Sequence, residues 1–328
     1  MIGVHTGGPH GLDHIGVLCA GLQIPLVVSE EKTLAAAREF YPDLQVVYRD
    51  LPDLSLEFFA RRASALLTCS YRFAEEFAPL SDTRIIYCPH GNSDKNLGAA
   101  RQDLSLIYGE HMKDLLRSHN CRYPTVTSGN YRALYYEMHK AALSAKLDEH
   151  INENFCSTKK TVFYAPTYDL KTFPDAFRVI QELSPHFNLL LRWHPLLDEL
   201  YPAEVEKLKH VCEEVAHICD LSAFPAIYPI LHRADFYLGD ASSIGYDFLT
   251  LNKPLFFLGK YAGEIYACGT PLASHDTWDL TISTFQDTTE LKMARRKLAT
   301  RTFGKTKPFK EMMQEIQQAL QQSRACRT

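Results

Sequence analysis

No stretch of the 328 residues stays apolar for the roughly 20 consecutive positions that a membrane-spanning helix needs. The opening residues, MIGVHTGGPHG, also lack the basic segment followed by an apolar run that marks a secretory signal, so the expected location is the cytoplasm. Cationic excess is missing: the formal charge is -4, which excludes the global basic field that drives nonspecific nucleic-acid binding. Paired cysteines are missing too. The nine cysteines are scattered beside apolar residues, as at Cys69, Cys88 and Cys219, and nowhere take the C-x-x-C spacing of a zinc site, so they are expected to be reduced thiols. Nor is the chain polar enough to remain disordered, with 46% hydrophobic and 23% charged residues. What is left is a soluble-type globular chain long enough for two α/β domains.

The first half repeats a short apolar β-type run, a turn and an amphipathic helical stretch, the rhythm of a parallel sheet covered by helices. Strands are expected at Ile2–His5, Pro25–Ser29, Leu44–Arg49, Ala65–Cys69, Arg84–Cys88, Leu104–Tyr108 and Thr125–Thr127. EEKTLAAAREF and LSLEFFARRASA have helical spacing, and a long helical stretch runs from Tyr131 to about Asn154. After the polar segment CSTKK the rhythm restarts, with strands at Thr161–Tyr164, Asn188–Arg192, Asp235–Leu238 and Leu255–Leu258. Helices are expected around Phe173–Leu183, Pro202–Val215 and Ile244–Leu251. The boundary between two Rossmann-like domains is accordingly expected near Ser157, giving domains 1–157 and 158–307 and a terminal segment 308–328.

In open parallel sheets ligands sit beyond the carboxyl ends of the strands, and several polar clusters fall there. In ADFYLGDASSIGYDF, Asp240, Ser242 and Ser243 follow a strand and open a helix whose free N–H groups suit an anion; Asp247, one turn on, could meet a hydroxyl. The plainer reading is that Asp240 or Ser242 caps the helix. LLLRWHP puts Arg192 and His194 at a strand end, an arrangement that suits a diphosphate, or else a structural His–Pro turn. FYAPTYD places Thr167 after a rigid Ala165–Pro166 turn as a hydrogen-bond donor or helix cap. In the first half, IIYCPHGNSDKN sets His90 and Gly91 after a strand with Lys95 close behind, so His90 is a candidate general base or a loop histidine. The loop with Gly7, Gly8 and His10 is read as acceptor-binding. His10 and His14 have an i, i+4 spacing that would suit a metal only on a helix, and the surrounding glycines argue against one; no metal or cofactor is expected.

From Lys292 to Lys310 the chain carries eight basic residues and no acidic one. A run so uncompensated suggests contact with an anionic membrane surface, against the plainer reading of a solvated helix face.

Taken in order, YAPTYD, LLLRWHP and ILHRADFYLGDASSIGYDFLTLNKPLFFL resemble the CDP-glycerol glycerophosphotransferase family of teichoic-acid-type cell-envelope polymer synthesis. PHGNSDK and TSGNYRALYY look like its first-domain segments. The resemblance implies the GT-B arrangement, two Rossmann-like domains facing across a cleft, with a terminal helix around Phe309–Gln322 packed back on the first. It implies transfer of glycerol phosphate, or a similar polyol phosphate, from a CDP-linked donor to an acceptor hydroxyl, with release of CMP. His90 would then be the base and His194 a ligand of the donor phosphates. Thr167, Arg192, Asp240, Ser242, Ser243 and Asp247 would line the donor site. A lipid-linked acceptor, and peripheral attachment at the inner face of the membrane, are implied as well. The family has a basic residue where this chain has Asp169, and T-D-Y-S-S where it reads Gly239-Asp240-Ala241-Ser242-Ser243. Two other readings stand beside this one: a GT-B glycosyltransferase or epimerase using a nucleotide sugar, and a nucleotide-binding protein of the same shape without catalysis.

Overall fold

The computed structural model describes residues 1–70, 82–91, 102–119, 124–151, 155–168, 172–240, 242–259 and 263–325. Lys95, Asp169 and Ala241 lie outside the described residues. The chain divides into two compact units, Met1–His139 with Thr300–Thr328, and Lys140–Ala299.

The first unit is built on strands β1 (Ile2–His5), β2 (Leu26–Val28), β3 (Val46–Tyr48), β4 (Ala65–Thr68), β5 (Arg84–Tyr87), β6 (Leu104–Ile107) and β7 (Thr125–Thr127). Among the described residues they form one sheet in the order β3-β2-β1-β4-β5-β6-β7, parallel throughout. Every residue of β4, β5 and β6 is buried. Strands covered on both faces read as continuous apolar runs rather than as alternation, which is why they stand out in the sequence. Arg84 is tolerated inside such a run because its guanidinium meets the Asp103 carboxylate at 3.2 Å.

A second ion pair ties loop to helix. Asp13 and Arg132 are both buried, and Arg132 Nε donates to the Asp13 carboxylate at 2.8 Å. The helix that carries Arg132 runs from Tyr131 to His150 and is kinked at His139, where φ is -118° and ψ 19°. Asn130 caps it, its side-chain oxygen accepting from the Ala133 N–H at 3.0 Å. Just before, Gly129 sits at φ +67°, and a Cβ there would fall 2.3 Å from Thr306 Cα, so the chain 305–306 passes against bare backbone. The helix Phe309–Ala325 then packs on the helix Ile15–Leu22 and on β7, within this first unit.

The second unit is built on β8 (Thr161–Ala165), β9 (Asn188–Leu191), β10 (Ile218–Asp220), β11 (Phe236–Gly239), β12 (Leu255–Leu258) and β13 (Thr270–Leu272). Their order is β10-β9-β8-β11-β12-β13, again parallel throughout. Its core joins Val162, Leu189, Phe236 and Phe256 of the sheet to Val179, Leu208 and Trp278 of the covering helices. The two edge strands, β10 and β13, were not expected. Each is three residues long, one ending in exposed Asp220 and the other containing Pro271, a residue that suits only an edge.

Three local expectations are corrected. The helix expected over LSLEFFARRASA covers only Leu56–Ala60, begun by the Ser55 cap. The one expected over Ile244–Leu251 starts at Ser243 and tightens after Phe248 into a 3-10 turn, closed by Asn252 at φ +52°. His10, expected outside any helix, lies in the 3-10 turn Pro9–Asp13, which Pro9 can open because the first N–H of a turn needs no partner.

The basic run is also less exposed than its sequence suggests. Arg295 is fully buried and bonded to both Asp287 carboxylate oxygens, at 2.7 and 2.6 Å. Arg301 meets Asp114 at 3.0 Å, and Lys307 meets Glu315 at 2.5 Å. The compensating acids come from outside the run. Among the described residues no helix is long and apolar enough to cross a membrane.

Candidate functional site

Both sheets reverse direction in the same way. The chain moves from β1 outward to β2 and β3, then crosses to β4 on the other side; β8, β9, β10 and β11 repeat the manoeuvre. Loops leaving β1 and β4, or β8 and β11, therefore diverge and open a crevice at the carboxyl ends of the strands. The sequence candidates cluster at these two points.

In the first unit His5 ends β1 and is buried. Its Nε2 lies 2.9 Å from the Gly8 carbonyl and its Nδ1 3.8 Å from Cys69 Sγ, just beyond β4. A carbonyl can only accept, so Nε2 carries the hydrogen and Nδ1 takes the weak thiol hydrogen bond. Burial, only partly opposed by the Gly8 bond and the Glu30 carboxylate, pushes the His5 pKa below its ordinary value; it also pushes the Cys69 thiol up to about 12. The pair is thus neutral. The glycine-rich loop winds around this imidazole: a Cβ at Gly11 would fall 2.2 Å from His5 Cε1. Thr33 Oγ1 holds the Gly7 carbonyl at 2.9 Å. Gly7 and Gly8 are half-buried, while His10 is exposed, its ring 6.5 Å from that of His5. Among the described residues no group of three or more His, Cys, Asp or Glu side chains could hold a metal.

His90 is exposed just beyond β5. Its Nδ1 lies 3.2 Å from the Cys69 carbonyl and 3.5 Å from the Tyr87 hydroxyl; the nearer group, a carbonyl, can only accept, which favours the hydrogen on Nδ1 and, in the neutral ring, the lone pair on Nε2. Gly91 follows at φ 123°. His14 stands edge-on to His90, ring centroids 6.5 Å apart. The buried Tyr108 hydroxyl lies 3.5 Å from His14 Nδ1 and 3.4 Å from the Pro89 carbonyl, touching both histidine loops. Cys69 likewise serves two neighbours, one through its thiol and one through its carbonyl.

In the second unit Asp240, buried beyond β11, accepts from the Thr167 backbone N–H at 2.9 Å and from its hydroxyl at 2.7 Å. This bond spans the crevice between β8 and β11. The hydroxyl's one hydrogen is committed to Asp240 while it stands. Ser242 caps the helix Ser243–Phe248, its Oγ accepting from the Ile244 N–H at 3.3 Å, and Ser243 opens the first turn. Asp247, on that helix, is buried and accepts from the Tyr228 hydroxyl at 3.3 Å. Arg192 follows β9, with one terminal nitrogen 3.3 Å from the Pro225 carbonyl.

His194, two residues on, accepts at Nδ1 from the Leu196 backbone N–H at 3.2 Å. That nitrogen must be bare, so the neutral ring carries its hydrogen on Nε2, opposite to His90. The Tyr168 ring lies against it, centroids 4.7 Å apart. Local sequence did not single out His5, Cys69, Tyr108, Tyr168 or Tyr228. Each is a strand-end, loop or helix residue whose partner lies elsewhere in the chain.

A family model described as CDP-Glycerol:Poly(glycerophosphate) glycerophosphotransferase matches residues 54–266. No curated protein matches the sequence. Among solved structures, the wall teichoic acid polymerase TagF is similar at 15% identity over 99% of this chain and 89% of that chain, with a TM-score of 0.67. A TagF variant soaked with CDPG matches at 16% identity over 98% of this chain and 89% of that one, also with a TM-score of 0.67. UDP-GlcNAc 2-epimerase from Neisseria meningitidis, bound to UDP-GlcNAc, matches at 13% identity over 98% and 99% of the respective chains, with a TM-score of 0.58. These likenesses are of fold alone, the GT-B fold.

Proposed function

The chain belongs to the CDP-glycerol:poly(glycerophosphate) glycerophosphotransferase family, and on that premise we propose how its residues move glycerol phosphate from CDP-glycerol to an acceptor hydroxyl. The observation that carries the assignment of roles is the opposite backbone partner at Nδ1 of two histidines, the Cys69 carbonyl at His90 and the Leu196 N–H at His194, which favours opposite tautomers. We assign the acceptor to the first unit and the donor to the second. His90 Nε2, bearing a lone pair, takes the proton of the acceptor hydroxyl as that oxygen attacks the phosphorus attached to glycerol. The bond from that phosphorus to CMP breaks, its electron pair stays on the CMP oxygen, and the proton on His90 passes to solvent. His194 Nε2–H and the Arg192 guanidinium hold the charge that develops on the phosphate oxygens. Positioning and electrostatics suffice, without a covalent intermediate.

Ser242 and Ser243 supply further contacts at the first turn of their helix, and Asp247 addresses a donor hydroxyl. Thr167 and Asp240 act as a brace, because the hydroxyl hydrogen that would face a phosphate is held by the carboxylate. The loop of Gly7, Gly8 and His10 receives the acceptor.

We further assign the enzyme to the cytoplasm, acting on a lipid-linked acceptor at the inner face of the membrane. The free thiols of the described cysteines support a reducing compartment. The exposed Lys292, Lys297, Lys305 and Lys310 support contact with anionic lipid, which salt would reverse.

The test is a titration with CDP-glycerol and, separately, UDP-GlcNAc, beside an assay for CMP release. The reading requires binding of CDP-glycerol and CMP formation with a polyol-phosphate acceptor. Binding of UDP-GlcNAc alone would favour the nucleotide-sugar alternative, and donor binding without turnover against any acceptor would favour the non-catalytic one.

A further inference from the structure

We propose that Glu30 determines specificity for the acceptor: its carboxylate accepts a hydrogen bond from a second hydroxyl of the terminal polyol, beside the hydroxyl that attacks. This rests on the reading of the loop of Gly7, Gly8 and His10 as acceptor-binding. Glu30 stands two residues beyond β2, at the carboxyl end of the sheet, the end where parallel sheets bind ligands. It holds the N-cap position of the helix Glu31–Phe40, which Ser, Thr, Asp or Asn commonly fill, yet its side chain caps nothing. The carboxylate turns to the glycine-rich loop instead. A Cβ at Gly8 would lie 3.9 Å from Glu30 Oε2 and 3.3 Å from His10 Nδ1, so carboxylate and imidazole flank the same stretch of bare backbone. Loop and helix are held in register, because Thr33 Oγ1 of that helix donates to the Gly7 carbonyl and His5 Nε2 donates to the Gly8 carbonyl, both at 2.9 Å. Cys69 joins this loop to the proposed base, its thiol on His5 and its carbonyl on His90.

Glu30 Oε2 is buried and makes no hydrogen bond among the described residues. Lys32 Nζ lies 3.4 Å from it, but that side chain is 72% exposed, and so solvated an ion pair does not replace the directed hydrogen that a buried carboxylate oxygen requires. An ionised carboxylate only accepts hydrogen bonds, so it meets a hydroxyl and repels a phosphate. Glu30 thereby sorts the two ends of a polyol-phosphate acceptor, admitting the hydroxyl end and turning the phosphate outward. A glycerol terminus has two neighbouring hydroxyls: one gives its proton to His90, and the other is held by Glu30.

The test compares two acceptors that differ by one hydroxyl: an oligo(glycerol phosphate) ending in glycerol, and its analogue ending in a hydroxypropyl group without the secondary hydroxyl. In wild type the acceptor KM should be lower for the glycerol end by on the order of 10- to 100-fold, the span of one hydrogen bond to a charged group. E30Q should lose most of that discrimination through a raised KM, with kcat and CDP-glycerol affinity unchanged. K32A, which keeps the carboxylate and removes its ion-pair partner, should discriminate as wild type does. Equal KM values in wild type, full discrimination in E30Q, or a loss in K32A as large as that in E30Q would each overturn the proposal. If wild type releases no CMP with any acceptor, the functional reading fails, and ligand-observed NMR with glycerol phosphate and hydroxypropyl phosphate decides the matter. A preference for the glycerol ester that E30Q abolishes upholds the hydroxyl site, while equal binding of the two esters, or none, overturns it.

Discussion

The two crevices have the same topology and opposite chemistry. Between β1 and β4 the link is His5 to Cys69, a neutral imidazole and a protonated thiol, weakly bonded at 3.8 Å. Between β8 and β11 it is Asp240 to Thr167, a carboxylate holding two hydrogens at 2.9 and 2.7 Å. The histidines beyond them follow suit: the Cys69 carbonyl leaves His90 a lone pair, and the Leu196 N–H leaves His194 a hydrogen. On the proposed reading, one sheet offers a base to an uncharged hydroxyl and the other offers donors to an anion. Repeating an architecture does not repeat its chemistry. A backbone carbonyl beside Nδ1 in one case and a backbone N–H in the other favour opposite tautomers of the two imidazoles.

The sharpest way to break this contrast is His90→Ala. Turnover should fall by about 10²- to 10⁴-fold, the usual worth of a general base, while CDP-glycerol affinity stays near wild type. His194→Ala should weaken donor binding as well. Equal effects of the two substitutions on affinity would erase the distinction between the crevices.

Next in size is Asp13→Ala, which strips the buried Arg132 of its carboxylate. Removing one partner of a buried ion pair costs about 3–5 kcal/mol, so the midpoint of thermal unfolding should drop. Thr167→Val follows, removing one hydrogen from the Asp240 carboxylate while keeping the backbone bond. Hydrogen bonds to charged groups contribute about 1.5–3 kcal/mol, part of which should appear as weaker donor binding. Calorimetric titration would read it, and an unchanged affinity would show that the brace does not shape the donor site.

The smallest effect belongs to His5 and depends on pH. Its folded pKa lies below the unfolded value of 6.5, chiefly because of burial. Just below pH 6.5 the unfolded chain therefore binds more protons, and stability rises with pH there. The contribution is intact above that value and is lost as pH falls through the lowered folded pKa. His5→Gln should flatten this acid limb of a stability-against-pH curve, by at most about 1.4 kcal/mol per pH unit. An acid limb as steep in the variant as in wild type would assign the effect to other groups.

The sheets were legible because doubly covered parallel strands are written as apolar runs, and the candidate residues because they interrupt those runs at their carboxyl ends. The edge strands β10 and β13 were not, being short and carrying Asp220 and Pro271. The roles of Cys69 and Asp240 were hidden for another reason. Their partners lie 64 and 73 positions away, and the group on Cys69 that orients His90 is a backbone carbonyl, which any residue would supply. The pairing of Arg295, Arg301 and Lys307 within the basic run was hidden because Asp287, Asp114 and Glu315 reach it from outside.

The central claim is the opposition of the two tautomers, and nitrogen-15 spectroscopy of histidine-labelled protein tests it most directly. At a pH where both rings are neutral, with signals assigned from H90A and H194A, His90 should be protonated on Nδ1 and His194 on Nε2. The same tautomer at both positions would contradict the account.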